Sequence, residues 1–338
     1  MKYFKKEYYY PSANQKMKVH MLAYIPKGDI KGYVQFVHDC YEHIGLYEDT
    51  MKYFASEGYL VFGNDHIGHG LSTIDGKLGY IEGDSNHTAF YTDLQQALIV
   101  ILNDYSVEEK KMVVERTVYK FFKKTIEKQE ITKPPLRCMI GIGFGSSLVK
   151  NYAVLFEDVN VAILCSDRGI TSNLRREIEL CKKMTSNVNF KNNELEAYRL
   201  NIVKSKIYNE KSKFSYVSSD KKIQKLYEDD PLTFTYYPLK SEEAMLSAEK
   251  NISFQDWAKS YPSFLATLVL AGRKDPITNQ SKDIEMFINK VKSTNLHNFF
   301  VKYYQNSRHN LFNDIDKEKV LKDTLHFIRM VYKQQYGD

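Results

Sequence analysis

The stretch Cys138-Met139-Ile140-Gly141-Ile142-Gly143-Phe144-Gly145-Ser146-Ser147-Leu148 constrains this chain more than any other. It opens as a short apolar run, breaks into a glycine-rich turn and becomes the start of a helix over residues 146–156. A strand that turns at once into a helix belongs to a sheet flanked by helices.

The chain around it repeats that alternation. Residues 16–25 partly alternate apolar with polar and stop at Pro26, which predicts a half-exposed strand. Tyr33–Val37 is a short strand that empties into His38-Asp39-Cys40-Tyr41-Glu42-His43. A helix is predicted around Tyr47–Glu57, stopped by Gly58. Tyr59–Gly63 is the next strand and leads into a polar loop, Asn64 to Ser72. Residues 87–104 form a helix with Leu94, Leu98 and Leu102 on one face. A second helix is predicted over 107–129, where Val114, Val118, Phe122 and Ile126 recur in steps of four. Pro134-Pro135 ends it. Val159–Cys165 is almost wholly apolar, as a central parallel strand should be. Phe264–Ala271 and Phe299–Tyr304 are further strands, separated by a helix over 281–291. A last helix over 315–334 aligns Val320, Leu321, Ile328 and Val331.

This order predicts an α/β fold with a doubly wound, mostly parallel sheet. Residues 167–251 break the rhythm. They are rich in Lys, Asn, Glu, Ser and Tyr, with helical patches near 174–184 and 192–208 and no convincing strand. They are read as a helical cap inserted into a core made of residues 1–166 and 252–338.

The chain of 338 residues can bury a core of that size. Its net charge of +6 is spread along the sequence, so no nucleic-acid partner is expected. Lys110, Lys111, Lys120, Lys123 and Lys124 give the second helix a basic face. That face is read as solvated, with peripheral membrane contact as the alternative. No signal peptide or spanning segment is visible, and four cysteines show neither metal nor disulfide spacing. A reducing cytoplasm is the expected setting.

Three loops at strand carboxyl ends, where open α/β sheets bind ligands, then fall in a telling order. They carry the turn at Gly143, then Asp275, then His309. At these residues the chain resembles the monoglyceride lipase/lysophospholipase (serine aminopeptidase-like) branch of the α/β hydrolases. Val37-His38-Asp39-Cys40-Tyr41-Glu42-His43 to Tyr47 is similar to that family's His-Gly-x-x-Glu-His-x-x-x-Tyr loop. Asp65-His66-Ile67-Gly68-His69-Gly70-Leu71-Ser72 matches its Asp-His-x-Gly-His-Gly-x-Ser signature. Gly141 to Gly145 aligns with its Gly-His-Ser-Met-Gly elbow, Gly272 to Asp275 with its acid loop, and Ser307-Arg308-His309 with its histidine loop.

The resemblance implies an α/β-hydrolase fold and ester hydrolysis. A serine would attack, His309 would take its proton, Asp275 would orient the imidazole, and the backbone N–H groups of Cys40 and Phe144 would hold the oxyanion. Three departures interrupt that scheme. Gly143 stands where the nucleophilic serine belongs, Asp39 replaces a glycine of the oxyanion loop, and Ile142 replaces the histidine before the nucleophile. Glycine also relieves the backbone strain that an elbow imposes on other residues. On sequence alone, Gly143→Ser is expected to restore a nucleophile.

Other residues offer competing chemistry. Ser146 and Ser147 should point along their helix, Cys40 is read as a packed side chain, and Ser72 and Asp65 as loop hydrogen-bonding groups. Gly141-x-Gly143-x-x-Ser146 with Asp167 imitates a dinucleotide fingerprint, but its third position is not glycine or alanine. His66-x-x-His69 with His38, Glu42 and His43 lacks a zinc-like ligand set. Neither cofactor nor metal is expected. The preferred expectation is a catalytically impaired hydrolase, a pseudoenzyme that binds a small-molecule acyl or ester ligand. Behind it stand an ester hydrolase with a non-standard nucleophile and a non-catalytic interaction protein using its cap.

Overall fold

A computed structural model describes residues 2–83, 87–105, 109–120, 123–169, 172–182, 192–207, 210–250 and 254–337, with the backbone alone described for residues 110–131, 172, 254 and 255 within these ranges. In chain order the first elements are β1 (Tyr3–Pro11), β2 (Lys18–Pro26), β3 (Gly32–Val37), α1 (Glu48–Ser56), β4 (Leu60–Asn64) and α2 (Thr88–Asp104). Next come β5 (Lys110–Lys120), β6 (Lys123–Lys133), β7 (Leu136–Ile142), α3 (Phe144–Phe156) and β8 (Val161–Cys165). Among the described residues, five helices follow before the sheet resumes: α4 (Ser172–Lys182), α5 (Asn193–Lys206), α6 (Lys221–Asp229), α7 (Leu239–Lys250) and α8 (Phe254–Ser260). The chain closes with β9 (Ala266–Gly272), α9 (Lys282–Lys292), β10 (Phe299–Tyr304) and α10 (Lys317–Tyr336).

Eight strands form one sheet in the order β1-β2-β4-β3-β7-β8-β9-β10. β1–β2 and β2–β4 pair antiparallel, and every pairing from β4 to β10 is parallel. The apolar runs follow from burial on both faces. Along β7, Leu136, Cys138, Ile140 and Ile142 join one core layer and Met139 the other; along β8, Val161, Ile163 and Cys165 alternate with Ala162 and Leu164. The first layer packs Met51 and Phe54 of α1 and Val320, Leu321, Ile328 and Val331 of α10. The second packs Leu94 of α2, Leu148 of α3 and Ile284 of α9. Leu102 departs from the expected face and is 38% exposed. Three residues spaced by four drift by about 80° around a helix of 3.6 residues per turn, so the third has left the stripe.

The strand expected to be half-exposed, β2, is instead buried from Val19 to Pro26, because its residues join both core layers. Two further findings differ from the sequence reading. Where a helix was expected over 107–129, the described residues form the antiparallel hairpin β5–β6. Residues 107, 108, 121 and 122 of that span lie outside the described ranges. Steps of four are even numbers, so Val114, Val118 and Ile126 fit a strand of period two as well as a helix. β-Branched residues at Val113, Val114, Thr117, Val118, Thr125 and Ile126 favour the strand. The register also sets Glu115 opposite Lys128 and Arg116 opposite Glu127. Among the described residues, the lysines that suggested membrane contact therefore lie on two strands and not on a helical face. The other difference is β1, whose charged Lys5, Lys6 and Glu7 hide it from a search for apolar runs; edge strands carry such charges.

No described helix is long and apolar enough to cross a membrane. The expected helical patches between β8 and β9 are present as α4 and α5, although residues 183, 184 and 208 and the cap boundary at 251 lie outside the described ranges.

Ile140 is fully buried in the central strand β7. Ile140→Ala is expected to lower unfolding stability by about 2–5 kcal/mol, read as a lower urea midpoint with an unchanged slope.

Candidate active site

The parallel strands deliver four loops to one edge of the sheet. β3 ends at Val37 and releases His38 to His43, while β7 turns through Gly143 into α3. β9 leads to Asp275 and β10 to His309. The turn at Gly143 has φ 52° and ψ −113°, a conformation reserved for glycine or for a strained residue. Its N–H donates to the Cys165 carbonyl at 2.9 Å, which pins the elbow to β8.

His309 and Asp275 meet as the sequence order suggests. His309 Nδ1 lies 2.9 Å from Asp275 Oδ2. Asp275 is completely buried and also accepts from Thr278 Oγ1 at 2.8 Å and the Ile277 N–H at 2.9 Å. The other imidazole nitrogen has a partner that sequence reasoning missed. His309 Nε2 lies 3.0 Å from Asp39 Oδ2. Asp39 Oδ1 accepts the Phe144 N–H at 2.7 Å, and the Cys40 amide also supports the carboxylate. Both expected oxyanion donors, Cys40 and Phe144, thus face the side chain of Asp39.

Asp39 also fills the space of the missing nucleophile. A Cβ built on Gly143 would overlap all three atoms of its carboxylate. Gly143→Ser, expected from the sequence to restore a nucleophile, would therefore require the Asp39 carboxylate to move. A serine side chain and the present Asp39 rotamer compete for one volume. The two departures, glycine for serine and aspartate for glycine, are complementary in space.

Electrostatics follow from this arrangement. Burial would lower the His309 pKa, but Asp275 and Asp39 together raise it to about 10. Burial would raise that of Asp39, yet His309 and the N–H groups of Phe144 and Cys40 hold it below the ordinary carboxylate value. His309 is therefore an imidazolium between two carboxylates at neutral pH. Glu42 supports the loop from below. It accepts the Asp39 N–H at 2.8 Å and the Tyr227 hydroxyl at 2.8 Å, and burial followed by the Asp39 charge pushes its pKa up to about 7.

The remaining candidates lie where their chemistry is unavailable. Ser146 Oγ donates to the carbonyls of Gly141 and Cys165, at 2.8 and 2.9 Å, inside the α3–β8 packing. Ser147 lies 3.5 Å from Asp167. Cys40 borders the cavity, but burial, then the Asp39 charge, pushes its thiol well above the ordinary value. Ser72 Oγ donates to the Asp65 carbonyl and accepts the His20 N–H. Asp65 accepts from the Ile44 and Leu71 N–H groups and pairs with His20 at 2.7 Å. Asp167, the acidic residue of the dinucleotide-like pattern, is bound by Lys150 at 2.6 Å. The His66 N–H donates to His38 Nε2, and Tyr237 Oη lies 2.7 Å from His69 Nε2. Burial lowers the pKa of all three imidazoles, to about 4 for His66 and about 3 for His69. Among the described residues no group of three His, Cys, Asp or Glu is arranged to hold a metal ion.

A cavity of about 390 Å³ opens above Asp39, Gly143 and His309. Leu195, Leu200, Val203, Ile207 and Phe214 from the inserted segment supply apolar wall. A buried charge network closes one side. Arg168 bridges Glu177 and Glu249 at 2.8 and 2.6 Å, and Arg199 bridges Glu177 and Glu242 at 2.7 Å each. Arg199 also donates to Tyr41 Oη at 2.6 Å, tying α5 to the loop that carries Asp39. Ile142 does not reach the cavity; it is fully buried in the sheet.

The raised His309 pKa makes a signed prediction. Its stabilising contribution is complete below pH 6.5 and is lost as pH rises through about 10. Asp39→Asn removes one of the two carboxylates. It should lower the His309 midpoint by roughly 1–3 pH units, followed by imidazole NMR. The loss of stability between pH 6.5 and 10 should then be smaller than in the native chain.

Residues 28–114 and 116–316 match the serine aminopeptidase S33 family. No curated protein matches the sequence. Among solved structures, a thermostable carboxyl esterase from Bacillus coagulans superposes with a TM-score of 0.82 at 21% identity, over 97% of this chain and 99% of that one. A monoglyceride lipase from Saccharomyces cerevisiae, solved with a substrate analogue, superposes with a TM-score of 0.68 at 15% identity, over 97% of each chain. The sheet order, the loops at its carboxyl edge and the family match agree: the chain is an α/β hydrolase and belongs to the serine aminopeptidase S33 family.

Proposed function

We propose that this protein is impaired as a serine ester hydrolase and binds an acyl or ester ligand in the cavity above Gly143. One observation carries the reading: the elbow has no side chain, and the Asp39 carboxylate takes both the vacated space and the Phe144 N–H. An ester entering the cavity meets no hydroxyl at the elbow and no free donor from Phe144. Loss of the nucleophile alone costs a serine hydrolase several orders of magnitude in rate. The apolar wall from α5 and Phe214 suits an acyl chain, and the S33 family together with the esterase and monoglyceride lipase folds supports an ester-like ligand. An open cavity, rather than one filled by Ile142 and Phe144, favours ligand binding over a purely protein-binding surface.

A fluorophosphonate probe tests the reading directly. The native chain should remain unlabelled, and so should Gly143→Ser, because Asp39 still holds the donor and the space. The double variant Asp39→Gly/Gly143→Ser should be labelled, with His309 and Asp275 in place to activate the serine. Labelling of the native chain at any serine would overturn the proposal.

A further inference from the structure

The Asp39 carboxylate is held as the acyl portion of an ester would be held in a working hydrolase. Its Oδ1 accepts the Phe144 N–H at the helix start, and its Oδ2 faces the imidazole of a His–Asp pair. Every group needed to hydrolyse an ester formed on Asp39 itself surrounds that side chain. We propose that Asp39 is a covalent nucleophile toward the saturated carbon of an epoxide, and that His309 and Asp275 hydrolyse the resulting aspartyl ester. This deepens the reading of a site closed to serine-type attack on a carbonyl.

The geometry selects saturated carbon over carbonyl carbon. Attack on a carbonyl creates an oxyanion that must find donors. The Phe144 N–H is already occupied by Asp39 Oδ1, so the oxyanion of an incoming ester would lack it. Displacement at saturated carbon creates no such oxyanion in the first step. The charge leaves on the epoxide oxygen, and the His309 Nε2–H beside Asp39 Oδ2 can protonate it. Gly143 leaves the carboxylate without a competing side chain, and both residues border the cavity.

The steps balance. An Oδ2 lone pair forms the O–C bond while the C–O bond of the epoxide breaks. Its electrons go to the ring oxygen, which takes the proton from His309 Nε2. Asp39 is now a neutral ester, so one of the two carboxylates that held the imidazolium is gone, and His309 is left as a base oriented by Asp275. Water attacks Asp39 Cγ and gives its proton to Nε2. The oxyanion forms on Oδ1, facing the Phe144 N–H. Collapse expels the alkoxide, which takes that proton from Nε2, and the Asp39 carboxyl proton returns to His309. The net reaction is epoxide plus water to a vicinal diol.

The native chain should convert 1,2-epoxyoctane to 1,2-octanediol. Under single turnover in ¹⁸O-water, one ¹⁸O should appear in the Asp39 carboxylate by peptide mass spectrometry, because water attacks Cγ rather than the substrate. Asp39→Asn should abolish diol formation. His309→Gln treated with 1-iodohexane, whose leaving group needs no proton, should accumulate an alkali-labile hexyl ester on Asp39. Absence of both diol from the native chain and hexyl ester in the variant would overturn the proposal. An alkali-stable hexyl group confined to Cys40 would also overturn it. Fluorophosphonate labelling reports on the serine reading separately, so the two ideas can fail independently.

Discussion

Asp39, His309 and Asp275 form one buried chain of charge, and the carboxyl edge of the sheet is organised by it. A buried carboxylate is costly unless it is paired and hydrogen-bonded. Asp39 meets that condition only by drawing together the loop after β3, the start of α3 and the loop after β10. Asp275 meets it through His309, Thr278 and the Ile277 N–H. One imidazolium serves two carboxylates, so removing His309 would leave two carboxylates in the interior without a counter-charge. The loops are consequently fixed relative to one another by electrostatics as much as by packing.

The same chain of contacts explains why the elbow tolerates glycine. In an enzyme of this fold the strained residue earns its conformation by carrying the attacking oxygen. Here the conformation persists at Gly143 without strain, held by its N–H on Cys165 and by the carboxylate packed against it. Glycine at 143 and aspartate at 39 are two halves of one arrangement. A side chain at 143 would displace the carboxylate, and a glycine at 39 would leave the Phe144 N–H and His309 without their present partner.

The helices between β8 and β9 are coupled to this edge rather than draped over it. Arg199 on α5 reaches Glu177 on α4, Glu242 on α7 and the hydroxyl of Tyr41, two residues from Asp39. The His309 N–H donates to the Tyr216 carbonyl, and Asn310 Nδ2 lies 2.9 Å from the Tyr227 hydroxyl. Movement of these helices would therefore be felt at both ends of the charge chain. The apolar faces of α5 and of the Phe214 segment supply cavity wall, while the buried arginines and glutamates fix how that wall sits.

The sequence by itself determined the parallel sheet. Runs such as Val161–Cys165 are apolar at every position because both faces are buried, and their alternation with helical stretches marks them as parallel strands. It also determined the meeting of Asp275 and His309, through loops whose order and motifs are legible one at a time. It could not decide between helix and hairpin for residues 107–129, because a step of four satisfies both periods and only backbone pairing breaks the tie. It missed β1, which exists through its ladder to β2 and not through apolar content. Above all it read Gly143 and Asp39 as separate departures. They lie in the turns after two different strands, and Asp39 is 270 residues from His309, so no local pattern links them. The tertiary structure decided that the carboxylate of one occupies the space left by the other, because packing within a closed core allows only one side chain in that volume.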